Sequence, residues 1–364
     1  MKKIKLFSAF AGYGTDNFAL KQLKIPFECV GYSEIDKYAI QCFEQNHKGK
    51  NYGDITKINP KDLPDFDLFT GGFPCQSFSV AGKRKGELDP RGTLFYDIIR
   101  ICEVKKPKYM LLENVKGLTF KNHRKTFEKI LSELKRIGYD VRWKILNTKN
   151  YGIPQNRERI FFVCFRKDIK QNFEFPKEKK LKIFLKDVLE DEVDDKYYLS
   201  RIQIKKVKTR NKKFNMKGTR IISDEKNCFS GLTCNISHND ILITHSLYPR
   251  SGNPDKRGTG HLSKIDGTSY CVDTGNCQCI EISPWLTTEL AHSTAKDWNV
   301  ERFKKVTGEY RKLTPKECFR LQGFLKDEVN LEGLSNTQIY KLAGNGQSVN
   351  VVKKIFKEMF KNRS

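Results

Sequence analysis

The sequence predicts an α/β protein: a parallel sheet with helices on both faces, then a smaller region of short strands and loops, then a return to helix. Three observations predict it. Short β-branched and aromatic runs alternate with amphipathic helical patterns through the first half of the chain, the rhythm of strand, helix, strand. Gly- and Pro-containing turns fall at the carboxyl ends of those runs, where folds of this kind collect their chemistry. After about Phe184 the texture shifts to Gly, Ser, Thr and Cys, with little helical periodicity before Thr314.

Each element can be justified in order. Ile4 to Phe10 reads as a strand ending in Ala11-Gly12-Tyr13-Gly14, and a helix follows that Thr15 or Asp16 can cap. Phe27 to Tyr32 is a second strand, with a helix through Ala39 and Phe43 behind it. Asp67 to Thr70 is a third, running into Gly71-Gly72-Phe73-Pro74-Cys75. Tyr109 to Leu112 is a fourth, ending at Glu113-Asn114-Val115. Val141 to Leu146 and Ile160 to Phe165 complete the series, with a loop of Gly, Pro, Gln and Arg between them. Lys205 to Lys213 is a basic run, read either as a solvated loop or as a DNA-facing one. Val349 to Phe360 is a closing amphipathic helix.

Composition narrows the function classes. The hydrophobic share of 38% is enough to build a core, which excludes wholesale disorder. Lys and Arg number 68 against 43 Asp and Glu, a net charge of +25 that implies a polyanionic partner. No apolar run approaches the roughly 20 residues that span a bilayer, so nucleic acid is preferred to a membrane. Met1-Lys2-Lys3 leads into a short apolar stretch without a cleavage site, so no signal peptide is read. Eleven cysteines, an odd number, point to free thiols in a reducing, cytoplasmic setting. Cys228, Cys234, Cys271, Cys277 and Cys279 form no paired knuckles, and no metal is expected.

The chemistry-bearing residues sit at the strand ends. The turn Phe10-Ala11-Gly12-Tyr13-Gly14 lets backbone approach a nucleotide-like ligand. Glu34, after the second strand, can accept hydrogen bonds from a ribose diol. Asp54 can take an adenine amino group, and each of the two carboxylates can equally be a helix cap or a surface group. The decisive segment is Gly72-Phe73-Pro74-Cys75-Gln76-Ser77-Phe78-Ser79. A cysteine in a polar, glycine-flanked loop is placed as a nucleophile rather than as core, and Lys83-Arg84-Lys85 nearby can lie on phosphates. Glu113 ends an apolar strand, where desolvation favours its protonated form and suits a general acid. Arg157 and Arg159, two residues apart in an extended segment, project to one side and can hold a carbonyl oxygen and a carboxylate.

With these residues in hand, the chain resembles the bacterial and viral DNA cytosine-5 methyltransferases. The cofactor turn 10–14, Glu34, Asp54, Phe73-Pro74-Cys75-Gln76, Arg91-Gly92-Thr93-Leu94-Phe95, Glu113-Asn114-Val115, Gln155 to Arg159, Arg311 to Cys318, Arg320 to Phe324 and Gly344-Asn345 each match a motif of that family. The resemblance covers residues 1 to about 185 and about 311 to 364. It implies a Rossmann-like S-adenosylmethionine-dependent methyltransferase domain, 1–185 plus 326–364, and a smaller, mostly β and loop target-recognition domain with its hinge, 186–325. It further implies catalytic roles for Cys75, Glu113, Gln155, Arg157 and Arg159. Cofactor contacts would come from Phe10, Ala11, Gly12, Gly14, Glu34, Ile35, Asp54, Ile55, Phe73, Pro74, Leu94 and Asn345. DNA contacts would come from Gln76, Ser79, Lys83, Arg84 and Arg159, with base readers sought in 250–261 and 271–278. The expected partners are double-stranded DNA and a possible cognate restriction endonuclease, with the enzyme a nucleoid-associated monomer. Thr15, Ile35 and Gly346-Gln347 depart from the family's commonest pattern and bear on cofactor affinity rather than chemistry. Two rival readings stand beside this one: a tRNA cytosine methyltransferase and a catalytically silent DNA-binding scaffold.

Overall fold

The computed structural model describes residues 2–74, 93–199, 241–246, 269–270, 278–283 and 309–361. Six strands form the central sheet: β1 (Ile4–Ala9), β2 (Phe27–Ser33), β3 (Leu68–Gly72), β4 (Tyr109–Val115), β5 (Tyr139–Asn147) and β7 (Glu158–Arg166). Their spatial order is β2-β1-β3-β4-β7-β5. β2, β1, β3 and β4 are parallel to their neighbours. β7 departs from the all-parallel expectation, running antiparallel to both β4 and β5. The cause is the connection: only 148–157 separates β5 from β7, too short for a helical crossover, so the chain folds straight back.

Helices cover both faces, and strand alternation decides which side chains meet them. Ile4, Leu6, Leu68, Leu111, Phe161 and Val163 join one core with α1 (Thr15–Gln22) and the closing helix α7 (Val349–Met359). Phe7, Phe69, Met110, Leu112 and Phe162 join a second core with α3 (Thr93–Lys105) and α4 (Arg124–Arg136). α2 (Lys37–Asn46) follows β2 and begins on Asp36, whose carboxylate accepts from Tyr38 and Ala39 N–H. α7 forms because Val349, Val352 and Phe356 recur at helical spacing beside Val351, Ile355 and Met359, and all six are buried. Each of the fully buried ones contributes roughly 1.5–3 kcal/mol over an exposed position.

Outside the central sheet, β8 (Ile241–Ser246), β10 (Gln278–Ser283) and β11 (Glu309–Lys312) make a three-stranded antiparallel sheet. β6 (Gln155–Asn156) pairs in parallel with β9 (Ser269–Tyr270). The basic run 205–213, the loop 250–261 and Cys228, Cys234, Cys271 and Cys277 lie outside the described residues. α5 (Pro315–Arg320) and α6 (Asn336–Asn345) follow β11. Leu313, Cys318, Phe319, Leu321 and Phe324 share the core of α1 and α7, so residues 313–324 pack with the first unit.

One carboxylate closes the route by which the chain leaves this unit and returns. Arg311 donates twice to Glu317, at 2.8 and 2.7 Å, with both side chains almost fully buried. Glu317 also accepts from Thr314 N–H at 2.8 Å, completing a capping box, and from Glu190 N–H at 2.8 Å. Glu190 lies on the outgoing segment and Arg311 on the incoming one, and Tyr198 bridges Arg311 through backbone. Removing one member strands a buried charge. Arg311→Met is therefore expected to cost about 3–5 kcal/mol, read as a lowered Tm in thermal denaturation. A wild-type Tm in that variant would show that the clasp carries no stability.

Candidate active site

The α1/α7 face of the sheet turns polar at its carboxyl edge. Ser8 and Thr70 are register partners on β1 and β3, and Gly72 and Glu113 are register partners one step further on, on β3 and β4. Leu6, Leu68 and Leu111 precede them on the same face, so the strands run from core into a cleft. The cleft encloses about 220 Å³ between this edge, the turn after β1, Glu34, and the end of α6.

The turn is shaped by backbone. Phe10 sits at φ 53°, in the left-handed region that few non-glycine residues occupy. Gly14, at φ 80°, is the cap of α1. Thr15 and Asp16 therefore do not cap the helix, because both side chains reach across the fold instead. The Thr15 hydroxyl donates to the Gln347 carbonyl at 3.5 Å, and Asp16 accepts from the Thr70 hydroxyl. Glu34 fixes the other wall. Its carboxylate accepts from Gly12 N–H at 2.9 Å and from Ile35 and Asp36 N–H at 2.8 and 2.9 Å. Asn51, which sequence reasoning did not single out, holds the Glu34 backbone through both its amide groups.

Of the expected cofactor residues, Phe10, Ala11, Gly12, Glu34, Pro74 and Asn345 line the cleft. Gly14, Ile35, Asp54, Ile55, Phe73 and Leu94 do not. Ile35 is 74% exposed beside Glu34, and Ile55 is buried. Asp54 caps the single turn Ile55–Lys57, and the Thr56 N–H and hydroxyl it accepts hold its pKa below the usual carboxylate value. Asp16, Thr70 and Lys341 line the cleft unforeseen.

Glu113 is the chemical centre of the described residues. It is buried, and burial raises its pKa above the usual carboxylate value, opposed by the charges of Arg159 and Arg157. Arg159 Nε lies 3.1 Å from Glu113 Oε1, yet that oxygen accepts no hydrogen bond among the described residues. Gly72 makes room for it, since a Cβ there would stand 3.2 Å from Glu113 Oε2 and 2.9 Å from Gln347 Nε2. Asn114 points to the opposite face and donates to the Phe73 carbonyl at 3.0 Å, anchoring the start of the Phe73-Pro74-Cys75 segment. Cys75, Gln76, Ser79, Lys83, Arg84, Arg91 and Gly92 lie outside the described residues.

The two arginines have separate partners, Arg159 beside Glu113 and Arg157 on the C-terminal end of α6. Arg157 is buried and donates to the Gly344 carbonyl at 3.2 Å and the Gly346 carbonyl at 2.8 Å, holding the C-terminal end of α6 against the cleft. Gln155 is fully buried and donates to the Leu321 carbonyl at 3.0 Å, away from the cleft.

The departures at Thr15 and Gly346-Gln347 form one fitted unit with Tyr13. The Tyr13 hydroxyl donates to the Gln347 carbonyl at 2.7 Å, and a Cβ on Gly346 would overlap the Tyr13 ring. Gly346→Ala is expected to cost about 1–3 kcal/mol by overpacking and to weaken S-adenosylhomocysteine binding in calorimetry. Adding Tyr13→Leu should return part of both losses. A variant with wild-type Tm and affinity would refute the fit.

A doubly covered sheet with a cleft at its carboxyl edge and a buried acid beside it is the architecture of an α/β nucleotide-cofactor enzyme. The family model for C-5 cytosine-specific DNA methylases matches residues 4–361, and the chain belongs to that family. It is 34% identical to the orphan methyltransferase M.SPRI of Bacillus phage SPR, covering 99% of this chain and 98% of that one. It is also 34% identical to the type II methyltransferase M.HhaI of Haemophilus parahaemolyticus, covering 97% of this chain and 93% of that one. The Dnmt2 methyltransferase of S. pombe, at 20% identity, shares the fold with a TM-score of 0.66 over the whole of both chains. The chain is thus a cytosine-5 DNA methyltransferase that uses S-adenosylmethionine and acts on double-stranded DNA. No helix among the described residues is long and apolar enough to cross a membrane.

Proposed function

We propose that this enzyme methylates carbon 5 of a cytosine flipped out of a short, specific duplex sequence, through a covalent adduct on Cys75. The observation that carries the reading is Glu113: a buried carboxyl with an oxygen free of hydrogen bonds among the described residues, held beside Arg159 where the Phe73-Pro74-Cys75 segment leaves the sheet. A thiolate cannot reach a stacked base, so the cytosine must leave the helix, at an unstacking cost of a few kcal/mol that pocket contacts recover. Cys75 attacks carbon 6 of the ring. Glu113 shares its proton with ring nitrogen 3, which drives electron density to carbon 5. S-adenosylmethionine, when bound, supplies the electrophilic methyl group that carbon 5 takes up. Solvent water takes the carbon-5 proton, the electron pair it leaves expels the Cys75 thiolate, and the proton on ring nitrogen 3 returns to Glu113, which completes the turnover.

Arg159 holds the base's carbonyl oxygen, and Arg157 positions the α6 end against the cofactor. Glu34 binds the ribose and Phe10 flanks the adenine, which reaches past the cleft wall toward the exposed Ile35 and the Asp54–Ile55 turn. Gln76, Ser79, Lys83 and Arg84 serve the DNA, and the region between about 186 and 310 reads its sequence in the major groove. The enzyme acts as a monomer at the nucleoid. Under a type II arrangement a restriction endonuclease shares its site, and under an orphan arrangement none does.

The test is methylation of unmethylated plasmid with labelled S-adenosylmethionine, followed by base-resolution mapping of 5-methylcytosine. Signal is expected at one short recurring sequence. Signal on tRNA and none on DNA would overturn the substrate.

A further inference from the structure

We propose that Asp16 is the residue that recognises the α-ammonium group of the cofactor's methionine tail. The inference rests on the methyltransferase reading above and assigns a positioning role to a residue outside the motifs that support it.

The geometry starts with the sheet. Ser8 and Thr70, register partners at the carboxyl ends of β1 and β3, face α1, and both hydroxyls donate to the Asp16 carboxylate. Asp16 is 7% exposed, and what it exposes lines the cleft. The two hydroxyls, together with the backbone N–H groups of Asp16 and Asn17, orient the carboxylate without neutralising it, and no cationic side chain pairs with it among the described residues. Burial raises its pKa, so a bound cation is what would hold it ionised.

The charge of the cleft points the same way. On a chain with a net charge of +25, the acidic and basic residues lining this cleft are Asp16, Glu34, Asp36, Glu113 and Lys341. Lys341 is already paired with Asp36. Glu113 has Arg159, and Glu34, which accepts from the N–H groups of Gly12, Ile35 and Asp36, is assigned to the ribose. Asp16 is the remaining anion, and the ligand carries two cations, a sulfonium and an ammonium. Transfer requires the sulfonium near Glu113. Thr70 lies two residues back from Gly72, the register partner of Glu113, about 7 Å along the strand. The three-carbon tail that separates sulfonium from ammonium spans most of that interval, so the ammonium is the cation that meets Asp16.

The test is calorimetry on the full chain with S-adenosylmethionine, S-adenosylhomocysteine and the homocysteine analogue whose α-amino group is replaced by hydrogen. For the wild type, the deaminated analogue is expected to bind about 10–100-fold more weakly than S-adenosylhomocysteine, the loss of a charged hydrogen bond. Asp16→Asn should weaken both amino-bearing ligands by that factor and leave the deaminated analogue unchanged. The wild-type comparison stands even where the variant folds poorly. Equal losses for all three ligands would reduce Asp16 to a structural role, and a loss confined to S-adenosylmethionine would assign it to the sulfonium. Either result overturns the proposal. A wild type that binds none of the three would instead overturn the cofactor reading on which it rests.

Discussion

Cys75→Ser is expected to lose at least about 1,000-fold in kcat, since removing the nucleophile of a covalent mechanism removes the route itself, while duplex binding stays near wild type. The argument is chemical. Carbon 6 of cytosine is a weak electrophile that a thiolate attacks and a serine hydroxyl does not, because at neutral pH the hydroxyl has no accessible anion and no base assigned to it. The substitution changes one atom, so the segment it belongs to keeps its anchors, Pro74 with its fixed φ and the Phe73 carbonyl held by Asn114. Binding and transfer should therefore separate. Labelled-methyl transfer and duplex binding by anisotropy read the two independently. Turnover near the wild-type rate would sink the nucleophile assignment, and loss of both properties would mean that the thiol holds the loop rather than attacks.

What the sequence disclosed follows from how locally each feature is encoded. Glu34 and Glu113 were legible because apolar runs announce strands and ligands gather at their ends. The turn at 10–14 was legible because its glycines stand side by side in the chain. The rest depends on residues far apart. The antiparallel course of β7 follows from the short connection 148–157 rather than from the strand itself, since an apolar run carries no direction. Asp16 looked like a helix cap because Asp is a good one, and only the packing of α1 on Ser8 and Thr70 shows otherwise. Tyr13 and Gly346 fit each other across more than 300 residues of chain, so one reads as an oddity until the other is seen. Gln155, Arg157 and Glu317 carry motif resemblance, and apart from the Thr314–Glu317 capping box their partners are backbone carbonyls, the Glu190 N–H and a buried guanidinium that no spacing rule identifies.

Glu113→Gln should cost about 100- to 10,000-fold in kcat, the range for loss of a general acid, and should also change the shape of the pH profile. Burial raises the Glu113 pKa, and Arg159 and Arg157 oppose the rise without cancelling it. The protonated form is the one that serves ring nitrogen 3, so activity is expected to fall on the alkaline side as pH rises through that raised value. Cys75 imposes the opposite limb, since its thiolate is gained as pH rises. Glutamine keeps a donor in the same place but has no proton to give up. The variant's residual activity should therefore keep the acid limb and lose the alkaline one. Stability follows the same sign. A carboxyl with a raised folded pKa contributes stability that is present below the ordinary carboxylate range and lost as pH rises through the folded value. Glu113→Gln should flatten the Glu113 part of the Tm–pH curve, leaving the contribution of Asp16, whose pKa burial also raises. A variant with wild-type kcat, or one whose alkaline limb persists at the same pH, would remove Glu113 from the proton chemistry and leave it as an anchor for Arg159.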